Sequence, residues 1–306
     1  MEMTIIIPVY NRAAVVEKTL LSVFQQSYRP LHLILVDNCS TDDSLVVLKS
    51  FQERYDSSVF RVTVCEEPVL GAPFARNAGL RRATSEWVMF FDSDDEMCPG
   101  EIARIVQTIR KDPSLDIIGF SVWLRSPAGR LRRKRTSFTG KMEAQIFHSV
   151  LSTPCFAVRR TYLAAAGGWN ESLSRWQDWE LGIRLLSHVP RIAWIKRPPL
   201  AVVQESADSI TGNGYAHSHT ALVQAIDAAA SSIMASNLPD KERLSRCVYS
   251  RLAELSGLYL RENAPDLSQE AWSLFLQRVE LSAGRQMLCR RIRRYIARGG
   301  RLGGRI

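Results

Sequence analysis

The feature that most constrains this chain is an alternation. Through its first 125 residues, short β-rich apolar runs take turns with stretches of helical period. Thr4 to Val9 (TIIIPV), Leu31 to Val36 (LHLILV), Phe60 to Cys65 and Trp87 to Phe91 read as strands. Ala13 to Gln26 repeats apolar residues at helical spacing, with Val16, Leu20, Val23 and Phe24 on one face and Asn11 as the expected N-cap. Ser40, Thr41 or Asp42 can cap a helix running to about Tyr55, and Gly71 opens another that reaches about Ala83. After Pro99, a good first-turn residue, a helix extends to about Lys111, and Leu115 to Trp123 reads as one further strand. Strand, helix and strand in repeated succession predict βαβ units and an α/β fold with a mostly parallel sheet.

Residues 124–140 (LRSPAGRLRRKRTSFTG) read as a basic hairpin or loop. A short helix near Glu143 to Leu151, a strand around Cys155 to Val158, a turn at Gly167-Gly168 and a helix from about Gln177 to His188 follow. Strand-like pieces at Arg191 to Ile195 and Leu200 to Val203 close the α/β region. From Ala216 to Ala297 the pattern is helical, broken at Asn237-Leu238-Pro239 and Asn263-Ala264-Pro265, which predicts about three helices. The expected division is an α/β domain over residues 1–210 and a helical extension with a basic tail over 211–306.

With 46% hydrophobic and 23% charged residues among 306, the composition excludes disorder, collagen-like repeats and coiled coil as the whole-chain answer. No run approaches the roughly 18 apolar residues of a membrane-spanning helix, and Met1 leads straight into an apolar strand, so the expected location is the cytoplasm. The six cysteines are scattered without a C-x-x-C spacing, which predicts reduced, structural thiols. The net charge of +9 is local: from Leu281 onward there are eight Arg and no Lys, Asp or Glu, leaving +1 on the other 280 residues. Leu288, Ile292, Tyr295 and Ile296 recur there at helical spacing, with Arg290, Arg291, Arg293, Arg294 and Arg298 on the other face. Such a helix suits an anionic lipid surface, or else docks on its own domain. With only Tyr295 as an aromatic, the tail lacks the stacking platform of a single-strand nucleic-acid binder, and no nucleic-acid partner is expected.

In open α/β sheets, ligands bind outside the carboxyl ends of the strands. Pro8-Val9-Tyr10-Asn11 leaves the first strand, Asp37 ends the second, and Asp92-Ser93-Asp94-Asp95 leaves a later one, all on one edge. Clustered carboxylates repel unless a cation lies between them, and hard oxygen ligands suit Mg²⁺ or Mn²⁺. A bare D-x-D is a weak signal, since acidic turns are common. Its place after WVMFF and in register with Asp37 strengthens it.

The runs TIIIPVYNR, ILVDNCSTDDS, GAPFARNAGL, FFDSDD, GGWNESL and WQDWELGIRL resemble, in order and spacing, the family 2 glycosyltransferases of GT-A fold. The resemblance spans about residues 3–210. It implies an inverting transfer from a nucleotide-diphospho-sugar donor, with Pro8, Tyr10 and Asp37 cradling the base and Arg76 near the base and diphosphate. It also implies that Asp92, with Ser93, faces the donor ribose, that Asp92 and Asp94 form the D-x-D metal site for Mn²⁺ or Mg²⁺, and that Asp178 is the catalytic base. Gln177 stands where the family often has Glu. Relatives often carry Arg or His ahead of a late Ser-Ile pair, whereas this chain reads VVQESADSI; His217, His219 or a basic-loop Arg would have to substitute. UDP is the expected nucleotide, with dTDP and GDP left open, and a glycan or lipid-linked molecule the expected acceptor. Two other classes fit parts of the pattern: a nucleotidyltransferase, although PVYNRAAV lacks the usual glycine-rich loop, and a silent sugar-nucleotide- or nucleic-acid-binding protein.

Overall fold

A computed structural model describes residues 1–134, 141–205 and 214–300. In chain order its elements are β1 (Met3–Val9), α1 (Val16–Phe24), β2 (Leu31–Asp37), α2 (Ser44–Tyr55), β3 (Phe60–Glu66), α3 (Ala72–Arg82), β4 (Trp87–Phe90), β5 (Glu96–Met97) and α4 (Glu101–Lys111). There follow β6 (Ile117–Phe120), β7 (Val122–Arg125), β8 (Leu131–Arg133), α5 (Met142–His148), β9 (Phe156–Arg159), α6 (Arg160–Ala165), α7 (Gln177–Ser187), β10 (Ile192–Ile195) and β11 (Ala201–Gln204). Four helices complete the described chain: α8 (His219–Ala235), α9 (Lys241–Arg261), α10 (Pro265–Arg278) and α11 (Ala283–Ala297).

The chain divides into two compact units. The first takes Met1–Gly140, Val150–Ser174 and Val189–Ser206; the second takes Lys141–Ser149, Arg175–His188 and Ala207–Ile306. In the first unit a seven-stranded sheet runs β10-β6-β9-β4-β1-β2-β3, and a four-stranded sheet runs β5-β11-β7-β8. The pairs β4-β1, β1-β2, β2-β3 and β10-β6 are parallel, while β9 lies antiparallel between β4 and β6. Residues of β1 and β2 such as Ile5, Ile7, Leu33 and Leu35 are fully buried, as expected of parallel strands covered on both faces. Gly79 lets α3 press onto this sheet: a Cβ there would lie 2.4 Å from Ile6 Cγ2.

Three local expectations are corrected. The run from Leu115 to Trp123 is two strands in different sheets, because at Ser121 the chain turns from β6 into β7. Ser121 is fully buried and its polar groups are spent on the break: the hydroxyl donates to the Lys196 carbonyl and the amide to Ile195. Asn11 does not cap α1; it sits at φ 50° and the helix begins at Val16. The carboxy-terminal region holds four helices rather than three, since the chain also breaks at residues 279–282, where neither Pro nor Gly marks the stop.

The second unit gathers α5 and α7 with the four C-terminal helices. Helix α7 packs on α5 and α8, and α9 is the hub for α8, α10 and α11. The Trp179 indole donates to the Ile146 carbonyl, and Gln145 donates to the Trp179 carbonyl, so α5 and α7 are locked by buried polar contacts. The tail stripe read from the sequence is split: Ile296 is 2% exposed against α9, whereas Leu288 and Tyr295 face outward at 55% and 54%. Arg293 is drawn inward, donating to Ser268 Oγ at 2.7 Å and lying over the Trp272 ring.

Candidate active site

The parallel strands β1, β2 and β4 deliver their carboxyl ends to one edge of the first unit, and three loops meet there. Pro8 is the penultimate residue of β1, paired in register with Val36, and Tyr10 follows the strand 46% exposed. Asp37 ends β2 and is 4% exposed. Its Oδ2 accepts the Ser40 amide at 3.2 Å, while its Oδ1 is buried without a hydrogen-bond partner. A buried carboxylate oxygen left unpaired is costly. An incoming N–H donor would satisfy it.

The loop after β1 is zipped to the loop after β2. Asn11 Oδ1 accepts the Thr41 amide at 2.8 Å, and its own amide donates to Ser40 Oγ. The Arg12 amide donates to Ser44 Oγ and the Ala13 amide to Asp42 Oδ2. Asn38 braces the other side: its side-chain nitrogen donates to the carbonyls of Glu67 and Val69, and its Oδ1 accepts the Gly71 amide at 2.7 Å. Gly71 takes φ +145°, a conformation that side chains disfavour, and this brings its amide to Asn38 at the start of α3.

Helix α3 supplies Arg76, 8% exposed, whose guanidinium donates to Asp92 Oδ1 at 2.9 Å and lies 4.4 Å over the Trp169 ring. Trp169 is core, edge-on to Phe90, so ring and ion pair together fix the arginine. Asn77 grips the distant Gly168-Trp169 turn, accepting the Trp169 amide and donating to its carbonyl and to Glu171.

Asp92, Ser93, Asp94 and Asp95 follow β4. Thr19 of α1 holds this turn, its hydroxyl lying 3.1 Å from the Ser93 carbonyl and 2.7 Å from that of Asp95. Arg12 Nε stands 3.8 Å from Asp94 Oδ2. Burial, then the Asp92 charge, pushes the Asp94 carboxyl above the usual carboxylate range, with Arg12 opposing. Asp95, 2% exposed, is pushed well above it, first by burial and then by Asp92. Its Oδ1 accepts the Gln204 amide at 2.9 Å, tying the turn to β11.

Three carboxyls, Asp92, Asp94 and Asp95, face two guanidiniums, Arg76 and Arg12, a crowding of acids that a divalent cation would relieve. Among the described residues no three His, Cys, Asp or Glu side chains form a closed cage. Asp92, engaged by Arg76, and Asp94, near Arg12, are the carboxylates that would hold an ion whose other positions are filled by water and substrate phosphates, the manner in which Mg²⁺ is commonly bound.

Beneath the turn, Glu101 opens α4 fully buried, and neither carboxylate oxygen has a hydrogen-bond partner. Burial holds its carboxyl well above the usual range, with the nearby Cys98 backbone opposing and Asp95 adding to it. The folded protein therefore binds this proton more tightly than the unfolded chain. Stability contributed by the group is present below the unfolded value near 4.5 and is lost as pH rises through the higher folded value. Glu101→Gln should consequently gain melting temperature relative to the parent protein as pH rises from about 5 to about 8. Parallel thermal melts across that range check this, and a constant difference would show that Glu101 titrates normally.

Asp178 belongs to the second unit, at the start of α7, half-buried. Its Oδ1 accepts the Trp179 amide at 2.8 Å. The preceding Trp176 takes φ 51°, a left-handed conformation costly for a bulky residue. It is held by Trp179, 5.1 Å away, and by Arg251 over its ring. Gln177 is buried beside it.

Of the groups expected to replace the missing late cation, His219 is committed elsewhere: its Nδ1 lies 3.1 Å from the Tyr259 hydroxyl and its Nε2 3.4 Å from Glu270. His217 is exposed. In the basic hairpin Arg125 pairs with Glu96 and Arg132 with Glu205. Ser206 to Ile210, together with Arg135, lie outside the described residues.

A family model described as glycosyl transferase family 2 matches residues 4–166, more than half of the chain. This chain belongs to that family, and its architecture is the GT-A fold. An uncharacterized glycosyltransferase of Haemophilus influenzae is 28% identical over 193 residues, covering 60% of this chain and 62% of the relative. A putative teichuronic acid biosynthesis glycosyltransferase of Bacillus subtilis, TuaG, is 39% identical over 93 residues, 30% of this chain and 36% of the relative. The chain thus spans less than two thirds of either relative's length. S. aureus TarS residues 1–349, solved with UDP-GlcNAc, superposes with a TM-score of 0.69 at 16% identity, covering 99% of this chain and 93% of that one.

Proposed function

We propose that this chain is an inverting glycosyltransferase that moves a sugar from a nucleotide-diphospho-sugar, a UDP-sugar in the first instance, to an acceptor hydroxyl in glycan or polysaccharide biosynthesis. The observation that carries the donor reading is the buried, unpartnered Asp37 Oδ1 beside exposed Tyr10: an acceptor awaiting an N–H next to an aromatic face matches what a uracil offers. The UDP-GlcNAc complex of TarS supports the same nucleotide, and TuaG supports a polysaccharide acceptor.

In this reading residues 1–210 are the transferase domain and 211–306 its helical extension. Pro8, Tyr10 and Asp37 hold the base. Arg76 holds Asp92 for the ribose, with Ser93 alongside, and is itself placed for the diphosphate. Asp92 and Asp94 form the metal site. A bound Mn²⁺ or Mg²⁺ supplies Lewis-acid stabilisation of the departing diphosphate. Asp178 takes the proton from the acceptor hydroxyl as that oxygen attacks the anomeric carbon, so the configuration inverts. The extension keeps α7, and with it Asp178, in place, because α8 packs on α7.

A cytoplasmic location is part of the proposal. All six cysteines are free thiols, in keeping with a reducing compartment. No helix among the described residues is long and apolar enough to cross a membrane. A screen of UDP-, dTDP- and GDP-sugars for Mn²⁺-dependent donor hydrolysis tests the reading. One nucleotide class, UDP foremost, should be turned over and lose its turnover in EDTA; no hydrolysis and no binding of any donor would overturn the proposal.

A further inference from the structure

Helix α11 carries two faces that differ in what they touch. Inward, Ile296 is 2% exposed and Arg293 is spent on Ser268 and Trp272. At Gly257 of α9 an added Cβ would stand 2.9 Å from both the Arg293 carbonyl and Ile296 Cβ, so the helices are in close contact. Outward, Met287, Arg291, Arg294 and Arg298 follow one another at spacings of four, three and four residues, and Leu288 and Tyr295 stand one turn-pair apart on the same side. Met287, Leu288 and Tyr295 are 56%, 55% and 54% exposed, and the three arginines are exposed between them.

Among the described residues none of Arg285, Arg290, Arg291, Arg294 and Arg298 has an ion-pair partner, and the sequence holds no acid from Leu281 onward. We infer that this outward face of α11 is a docking surface for an anionic lipid bilayer, with the arginines on the headgroups and Met287, Leu288 and Tyr295 seated at the boundary with the acyl chains. Charge complementarity and the interleaved apolar residues select this occupant. A second copy of the chain would bring arginine against arginine. A nucleic-acid duplex would match the charge but leave three large apolar side chains without a function. An amphipathic helix lying in the membrane plane uses both components, apolar burial and attraction to anionic headgroups. The inference does not depend on the transferase reading, since it concerns only the second unit.

Co-sedimentation of the full chain with vesicles tests it, using an equimolar mixture of phosphatidylcholine and phosphatidylglycerol beside phosphatidylcholine alone. The protein should pellet with the anionic vesicles at low salt, much less as salt rises, and hardly with the neutral ones. Combined Arg291→Glu, Arg294→Glu and Arg298→Glu should weaken the association by on the order of 100-fold or more. Combined Met287→Ser, Leu288→Ser and Tyr295→Ser should weaken it by about tenfold or more at unchanged salt dependence. All six positions are exposed, so both variants should keep the parental circular dichroism and melting temperature. Equal pelleting of parent and variants, equal binding to neutral vesicles, or no pelleting at low salt would overturn the inference. So would self-association abolished by the serine variant without any vesicle binding, or binding to duplex DNA in place of vesicles.

Discussion

Asp178→Asn should reduce sugar transfer by roughly 10²-fold or more while donor affinity stays within a few-fold. The substitution preserves shape and leaves Oδ1 to accept the Trp179 amide, as it does at 2.8 Å in the parent protein, so the start of α7 should not shift. What is lost is the basic oxygen to which the proposed mechanism gives the acceptor's proton. Because the proposal assigns Asp178 to the acceptor hydroxyl and Asp37 and Asp94 to the donor, calorimetric titration with UDP should not register the change. Transfer measured against donor binding separates the two roles. Loss of donor binding with slow transfer persisting would make Asp178 a positioning residue and place the base elsewhere.

Asp94→Ala should abolish metal-dependent donor binding and lower turnover by on the order of 10³-fold, the several kcal/mol that a Lewis acid contributes to a leaving diphosphate. The fold should survive. Burial and Asp92 push the Asp94 carboxyl upward, so its ionised form is a cost to the folded state, and its removal relieves repulsion in the D-S-D-D turn. Titration of UDP in the presence of Mn²⁺ or of EDTA, with a thermal melt of the variant, checks both halves. Full turnover in EDTA, or in the variant, would remove Asp94 from the metal site.

The edge that gathers Pro8, Tyr10, Asp37 and Asp92 to Asp95 was legible in sequence because its determinants are local. The apolar runs of β2 and β4 lead into acids and that of β1 into Tyr10-Asn11, and the α/β rule fixes which edge those ends share. What stayed hidden depends on partners far along the chain. Nothing near Asn38 announces that it will hold the Gly71 amide, or near Asn77 that it will grip a turn 92 residues on. Thr19 looks like one more residue of an amphipathic helix, yet it fixes the D-S-D-D turn through two carbonyls. The apolar run around Ser121 carries no punctuation, and its division between two sheets goes with hydrogen bonds from Ser121 to Ile195 and Lys196 and from Leu200 back to it, residues far along the chain. The fourth terminal helix escaped because neither Pro nor Gly stands where α10 ends, at Val279 to Ser282.

The interleaving of the two units bears on how the protein is made. The second sheet has β11 between β5 and β7, so it cannot close until residues near 204 have left the ribosome. Helices α5 and α7 emerge well before α8 and α9, the elements they pack against. At 5–20 residues per second, roughly ten seconds separate the release of α7 from that of a complete α9. Through that interval Leu181, Ile183 and Leu185, fully buried in the finished protein, lack part of their cover. The packing partners of α7 thus arrive last, and slower decoding of residues 188–261 would lengthen the interval before α8 and α9 join it.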